Sequence, residues 1–318
     1  MNSRKTFRAI GIGLLLVSSA PVRSAAFDSE ALPLGDGKYA SEPKMGYLYP
    51  CFPDKFYHIG TGARAGGSWI HGSTWNPSEK PSVSGEVFWP NANFAISNED
   101  GMRHLAGNDL PIGQKTGTFP TQASDLAYKY DPNPNPITPQ LINLLLPRNP
   151  TIASAPSCVE LPVAMGLDGV IFFSALDSHG RDEPAYEMQD RCGGMSAPNG
   201  MYHRYRPSDC MPHIYEKNAL VGYALDGFGI FSPYDANGKE LTTRDLDECH
   251  GTTTPIMWDG KHVTMYHYVL TRDFPYSIGC FRGIPAHIPL PPPPENPSFF
   301  TALWNFILWH VAPLFSNR

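Results

Sequence analysis

The sequence predicts a mainly β protein with few short helices, a β-rich disulfide-bonded domain containing two homologous tandem units. Three observations carry this expectation. Short runs of aromatic and β-branched residues are broken every few positions by 33 prolines and 29 glycines, which act as turn signals. One stretch of the chain is written twice. Six cysteines, an even number, suit a disulfide framework in an oxidising compartment.

Residues 1–26 read as a signal peptide. Arg4, Lys5 and Arg8 form a basic start, residues 9–17 an apolar run too short to span a bilayer, and Ser24-Ala25-Ala26 a small-residue cleavage site. Cleavage after Ala26 removes Arg4, Lys5, Arg8 and Arg23 and no acids. That leaves 20 of the 24 basic residues against 30 acidic ones, a net charge of −10. This balance argues against nucleic acid or anionic lipid as a general partner, because phosphate is neutralised by Lys and Arg. The protein is expected to be secreted or periplasmic.

Residues 27–128 form an N-terminal β-rich region, with "KMGYLYP", "GSWIHGSTWNP", "VSGEVFWPN" and "NFAIS" as its short strands. Residues 129–150 follow as a Pro-rich linker or ordered extended crossing, since "KYDPNPNPITPQ" lacks too many amide protons for regular structure. "PQLINLLLP" (139–147) reads as a short helix after it.

The repeat occupies the next domain, 151–287. "LDGVIFFSALDSHGR" (167–181) realigns on "LDGFGIFSPYDANGK" (225–239) with an offset of 58. Leu167/Leu225, Asp168/Asp226, Gly169/Gly227, Phe173/Phe231, Ser174/Ser232, Asp177/Asp235 and Gly180/Gly238 are identical. With small gaps the register continues through "QDRCGG" (189–194) and "LDECHG" (246–251), Met201-Tyr202-His203 and Met265-Tyr266-His267, and Cys210 and Cys280. The two units, 167–210 and 225–280, are expected to pack with approximate two-fold symmetry. Within them the cysteines pair as Cys192–Cys210 and Cys249–Cys280, leaving Cys51–Cys158; their spacing lacks the tight knuckle of structural zinc. Residues 288–297, "IPLPPPPENP", form a polyproline spacer. The apolar segment 298–318 then suits an interfacial membrane helix or a partner-docking helix through 298–315, a helix folded back on its own domain, or a span.

"GSWIHGSTW", "TGTFPTQASDLAYKYDPNPNPI", "LDGVIFFSALDSHGRDEPAYEMQDRCGG", "ALVGYALDGFGIF", "LDECHG" and "YHYVLTRDFPYSIGCFRG" together resemble the YHYH-domain family of exported proteins over roughly 60–285. The resemblance implies no activity. The family's Tyr-His-Tyr-His falls on Tyr202-His203-Arg204-Tyr205 and Tyr266-His267-Tyr268-Val269, so the second histidine is replaced in both units. The family's histidine after Cys-Gly-Gly is here Met195.

Residues i and i+2 of a strand share a face, so His203 lies with Tyr205 and His267 with Val269. If the units pack about a pseudo-dyad, His203 and His267 meet and bind a transition metal, copper or zinc. Asp190, Asp247 or His250 would complete the site, and Met195, Met201 and Met265 would favour soft copper. The alternative is histidines hydrogen-bonded in the core. Asp168 and Asp226, each in an apolar Leu-Asp-Gly, are either acid/base partners or Asx-turn residues. Loops 177–183 and 235–240 resemble calcium loops faintly and hairpin turns more closely. No nucleophile elbow, zincin helix or phosphate loop occurs. His58, His71, His104, His179 and His262 scatter among loops. The leading expectation is therefore an exported metal-binding protein with its site between the units. The others are a non-catalytic structural or interaction module of the cell envelope, and a hydrolase or oxidase using an Asp/His cluster on an unidentified small molecule.

Overall fold

The computed structural model describes residues 28–52 and 66–287. The signal segment, His58, the polyproline spacer and the apolar segment 298–318 lie outside the described residues. Seven short strands come from the N-terminal region, β1 (Leu32–Pro33), β2 (Ile70–His71), β3 (Thr74–Trp75), β4 (Val87–Phe88), β5 (Phe94–Glu99), β6 (Met102–Gly107) and β7 (Lys115–Thr116), and an eighth, β8 (Ile142–Pro147), from residues 129–150. They make three small sheets, ordered β1-β3-β2, β4-β7 and β5-β6-β8.

Then follow β9 (Ala164–Gly166), β10 (Ile171–Phe172), the four-residue helix α1 (Glu183–Tyr186), β11 (Gly194–Ser196), β12 (Tyr202–Arg204), β13 (Leu220–Ala224), β14 (Gly229–Phe231), β15 (Gly251–Trp258) and β16 (Lys261–Val269). Their eight strands form one sheet in the order β11-β12-β10-β9-β13-β14-β16-β15. The order reads identically outward from its centre. β9 and β13 pair antiparallel, each runs into an antiparallel neighbour (β10, β14), each of those pairs in parallel (β12, β16), and an antiparallel edge strand (β11, β15) closes each side.

Apolar residues of both halves of this sheet, including Met165, Phe173, Ile230 and Phe231, fall in one buried cluster. Leu32, Trp69, Trp75, Leu105 and Leu144 of the N-terminal region belong to it too, so that region shares the core. Arg103 on β6 is 1% exposed; its guanidinium lies over Tyr223 and Trp258 and bonds Asp259 at 2.7 Å, fastening the β5-β6-β8 sheet to the β15–β16 hairpin. Among the described residues no helix is long and apolar enough to cross a membrane.

One expected element differs in kind. Residues 139–147 hold strand β8, not a helix, because their apolar residues serve a period of two. Ile142, Leu144 and Leu146 are buried, whereas Asn143 and Leu145 are exposed, and the strand pairs with β6 along its whole length. The Pro-rich segment before it is an ordered extended crossing. Asn133 Nδ2 donates to Ser196 O at 2.8 Å, Ser196 Oγ to Pro136 O at 2.8 Å, and the Thr138 amide to Gly200 O.

Disulfides join Cys51–Cys158, Cys192–Cys210 and Cys249–Cys280, the expected pairs. Bonds of this kind persist in an extracellular or periplasmic setting.

The period of β8 is testable by denaturant unfolding. Leu144→Ala is expected to cost about 2–4 kcal/mol as a buried truncation, and Leu145→Ala, at a site 57% exposed, under about 0.5 kcal/mol. Equal losses would contradict the strand assignment.

Candidate functional site

Each of the four candidate aspartates sits at a turn whose backbone amides converge on its carboxylate. Asp190 Oδ1 accepts from the amides of Cys192 (2.9 Å) and Gly194 (3.1 Å) and from the Tyr202 hydroxyl, while Oδ2 accepts from the Gly117 amide at 2.8 Å. Asp247 Oδ1 takes the same three partners in the second unit: the amides of Cys249 (3.0 Å) and Gly251 (2.9 Å) and the Tyr266 hydroxyl (3.1 Å). Asp168 and Asp226 cap the turns after β9 and β13, each accepting the amide two residues on at 3.3 Å. Their second oxygens reach the outer strands. Asp168 pairs with the Arg204 guanidinium of β12, which is 0% exposed. Asp226 accepts from the Tyr268 hydroxyl of β16 at 2.6 Å and the Gly283 amide at 2.9 Å. All four accept turn amides in the manner of Asx turns. Asp177 and Asp235 likewise cap hairpin turns through amides at 2.8–2.9 Å.

The strand order separates the two motif histidines. β12 and β16 stand five strand-to-strand steps apart, about 24 Å along the sheet at ~4.8 Å per step. β9 and β13 are the innermost strands, and His203 and His267 lie on opposite sides of them. The expected metal site between the units is not assembled. Among the described residues no three His, Cys, Asp or Glu side chains gather to hold an ion.

Each histidine is instead built into its own unit. His203 stacks on Phe173 with ring centroids 4.0 Å apart, and His267 lies against Phe231 at 4.7 Å. Nδ1 of each faces the carbonyl two residues back, Met201 O at 3.3 Å and Met265 O at 3.1 Å, which places the ring proton on Nδ1 and the lone pair on Nε2. Burial pushes the His203 imidazolium down to about 3 and lowers that of His267 as well. His250 has a positive φ of 73° where the first unit has Gly193 at 72°. Its Nε2–H donates to Thr271 Oγ1 (2.9 Å), which itself donates to Asp273 O; its Nδ1 has no partner among the described residues. His71, His179 and His262 are exposed and His104 half-buried.

The first unit holds a polar array that sequence reasoning did not assemble. The Tyr205 hydroxyl is 2.6 Å from His203 Nε2, in contact with Glu183 Oε1, and 3.8 Å from Met195 Sδ. All four side chains are nearly or wholly buried. The Tyr205 hydroxyl donates to Glu183 Oε1 and lies against His203 Nε2. Burial, and then the neighbouring Glu187 carboxylate, hold the Glu183 carboxyl well above its usual range. Behind α1, Lys80 Nζ donates to Pro184 O (2.7 Å), Glu187 O and Gln189 Oε1 (2.6 Å); burial brings this ammonium down to about 7. The i+2 spacing of His203 and Tyr205 was one available signal. Glu183 and Lys80 gave none, since both lie outside the strands of the sheet.

Two surface clefts, of about 490 and 230 Å³, are lined by neither Asp168, Asp226, His203 nor His267. No family model, curated protein or solved structure matches the chain.

The neutral His250 ring sets a pH dependence. An unfolded histidine titrates near 6.5 and His250 near 3, so the unfolded chain binds this proton first. The stability the neutral ring contributes is complete above about pH 6.5 and is lost as pH falls toward 3, at about 1.4 kcal/mol per pH unit. Urea unfolding of His250→Gln between pH 6 and 4 should give a slope shallower than wild type by about that amount; an identical slope would show that His250 is not held neutral.

Proposed function

We propose that this chain is an exported YHYH-domain protein acting as a non-catalytic structural or interaction module of the cell envelope, built from two copies of one unit. The observation that supports it most is the use of the motif residues in both units. The first Tyr of each motif holds the Asp-x-Cys loop, and the residue after each His holds the carboxylate of the Leu-Asp-Gly turn. An acid/base pair would need a carboxylate open to a cleft beside a histidine. Here the carboxylates are engaged by the strands they brace. The mirrored strand order and the shared offset of 58 support descent of the two units from one. The signal segment would export the chain, and the apolar segment 298–315, carried on the polyproline spacer, would attach it to the envelope or to a partner.

Two measurements test this reading. Asp168→Ala strands the buried Arg204 charge and is expected to cost about 3–5 kcal/mol. Asp226→Ala removes an acceptor from a hydroxyl and amides and should cost about 2–3 kcal/mol. Unchanged stability in both variants would free these carboxylates for chemistry and overturn the structural reading. In the native host, the full chain should sediment with the envelope, and a chain ending at residue 297 should be released to the soluble extracytoplasmic fraction. Retention of the truncated chain in the envelope would remove the attachment role of 298–315.

A further inference from the structure

We propose that the first unit alone forms a copper(II) site, with His203 Nε2, Tyr205 Oη, the Glu183 carboxylate and Met195 Sδ as its four ligands. The proposal goes beyond the scaffold reading, which needs no ion. Three elements bring these donors to one locus. Met195 on β11 stands directly across from His203 on β12, Tyr205 follows two residues on with its side chain on the same face, and Glu183 opens α1. The Tyr205 oxygen is common to the other three contacts.

Ligand atoms of one four-coordinate ion with bonds near 2.0–2.3 Å lie about 3.5 Å apart. The 3.8 Å between Tyr205 Oη and Met195 Sδ already has that size. The 2.6 Å between Tyr205 Oη and His203 Nε2 reaches it when a hydrogen bond opens by about an ångström. His203 is presented as a metal-bound imidazole commonly is, with Nδ1 committed to a backbone carbonyl and Nε2 turned to the locus. The Phe173 ring stacked on it fixes its orientation.

The donor types choose the metal. A thioether disfavours magnesium and calcium, and among divalent first-row ions an imidazole, phenolate and carboxylate set holds copper(II) most tightly. Tyr205 would bind as the phenolate and Glu183 as the carboxylate, their protons passing to solvent. The second unit cannot repeat the site. Thr252 stands across from His267, Val269 takes the place of Tyr205, and at the offset of 58 Leu241 takes that of Glu183. The stoichiometry is therefore one ion per chain.

The test uses the mature protein, incubated with copper(II) alone or zinc alone, desalted, and assayed by metal mass spectrometry and visible absorption. The expected result is one copper per chain with a phenolate-to-copper absorption band. Tyr205→Phe should abolish that band, and His203→Gln and Met195→Leu should each weaken copper retention at least tenfold. His267→Gln should bind as wild type. Circular dichroism identifies any variant that fails to fold, and the conservative Tyr205→Phe change leaves the spectroscopic readout available in that case. No copper retained by the wild type, zinc retained in its place, a band that survives Tyr205→Phe, or copper lost equally in His267→Gln would each overturn the proposal. Since the scaffold reading is measured by unfolding of Asp168→Ala and Asp226→Ala, failure of one leaves the other standing.

Discussion

Gly166 and Gly222 face each other where β9 meets β13, and the eight-stranded sheet is organised outward from that contact. A Cβ on Gly222 would lie 2.7 Å from Met165 O, and one on Gly166 would lie 2.5 Å from Asp168 Oδ1. Both approaches require glycine, because the neighbouring atoms are a backbone carbonyl and a carboxylate already fixed by its own partners. The absence of side chains here lets the Asp168 carboxyl fold back along β9. From that position it reaches past β10 to Arg204 on β12. Asp226 does the corresponding thing from β13 to Tyr268 on β16. Central pairing and outer strands are thus tied by one carboxylate on each side, across a parallel strand pair that no short hairpin could have joined.

The two units solve the same mechanical problem with different chemistry. Arg204 and Asp168 form a buried ion pair completed by Gln114, whose amide donates to Asp168 at 2.7 Å and whose oxygen accepts from Arg204 at 2.5 Å. Tyr268 and Asp226 use a hydroxyl and a carboxyl, and burial raises the Asp226 carboxyl. A buried ion pair gains little net stability but is costly to break, since one charge is left behind. The second arrangement carries less of that penalty. The N-terminal region accounts for the difference: Gln114, Gly117 and Lys80 all reach into the first unit, so the groups needed to satisfy a more polar interior come from outside the repeat.

Much of this was legible in the residues. Gly169/Gly227, Asp168/Asp226 and Tyr/His/Cys recur because each has a backbone to turn, an amide to cap or a bond to close, and such roles tolerate few substitutes. The cysteine pairs followed from the same register. The approach of the histidines was not legible, because a repeat reveals two copies without revealing whether they meet through inner or outer strands. Here Gly166 and Gly222 put the inner strands together. Residues 139–147 are ambiguous in the sequence because the run Leu144–Leu146 fits either period, and pairing with β6 decides it. His203 and Tyr205 of the Glu183 array share a strand face, but Glu183 reaches them by tertiary folding alone.

What the units share and where they differ also bears on where function can reside. The Phe–His contact and the Nδ1–H to the carbonyl two residues back are common to both. Burial keeps each imidazole neutral, and these contacts orient it. The Nε2 side is not shared. In the first unit it meets a hydroxyl backed by a carboxyl and a thioether; in the second the same-face position is Val269. Polar neighbours thus gather at only one of the two rings, and a copper(II) ion there, as proposed above, would offset the cost of burying a glutamate beside a tyrosine.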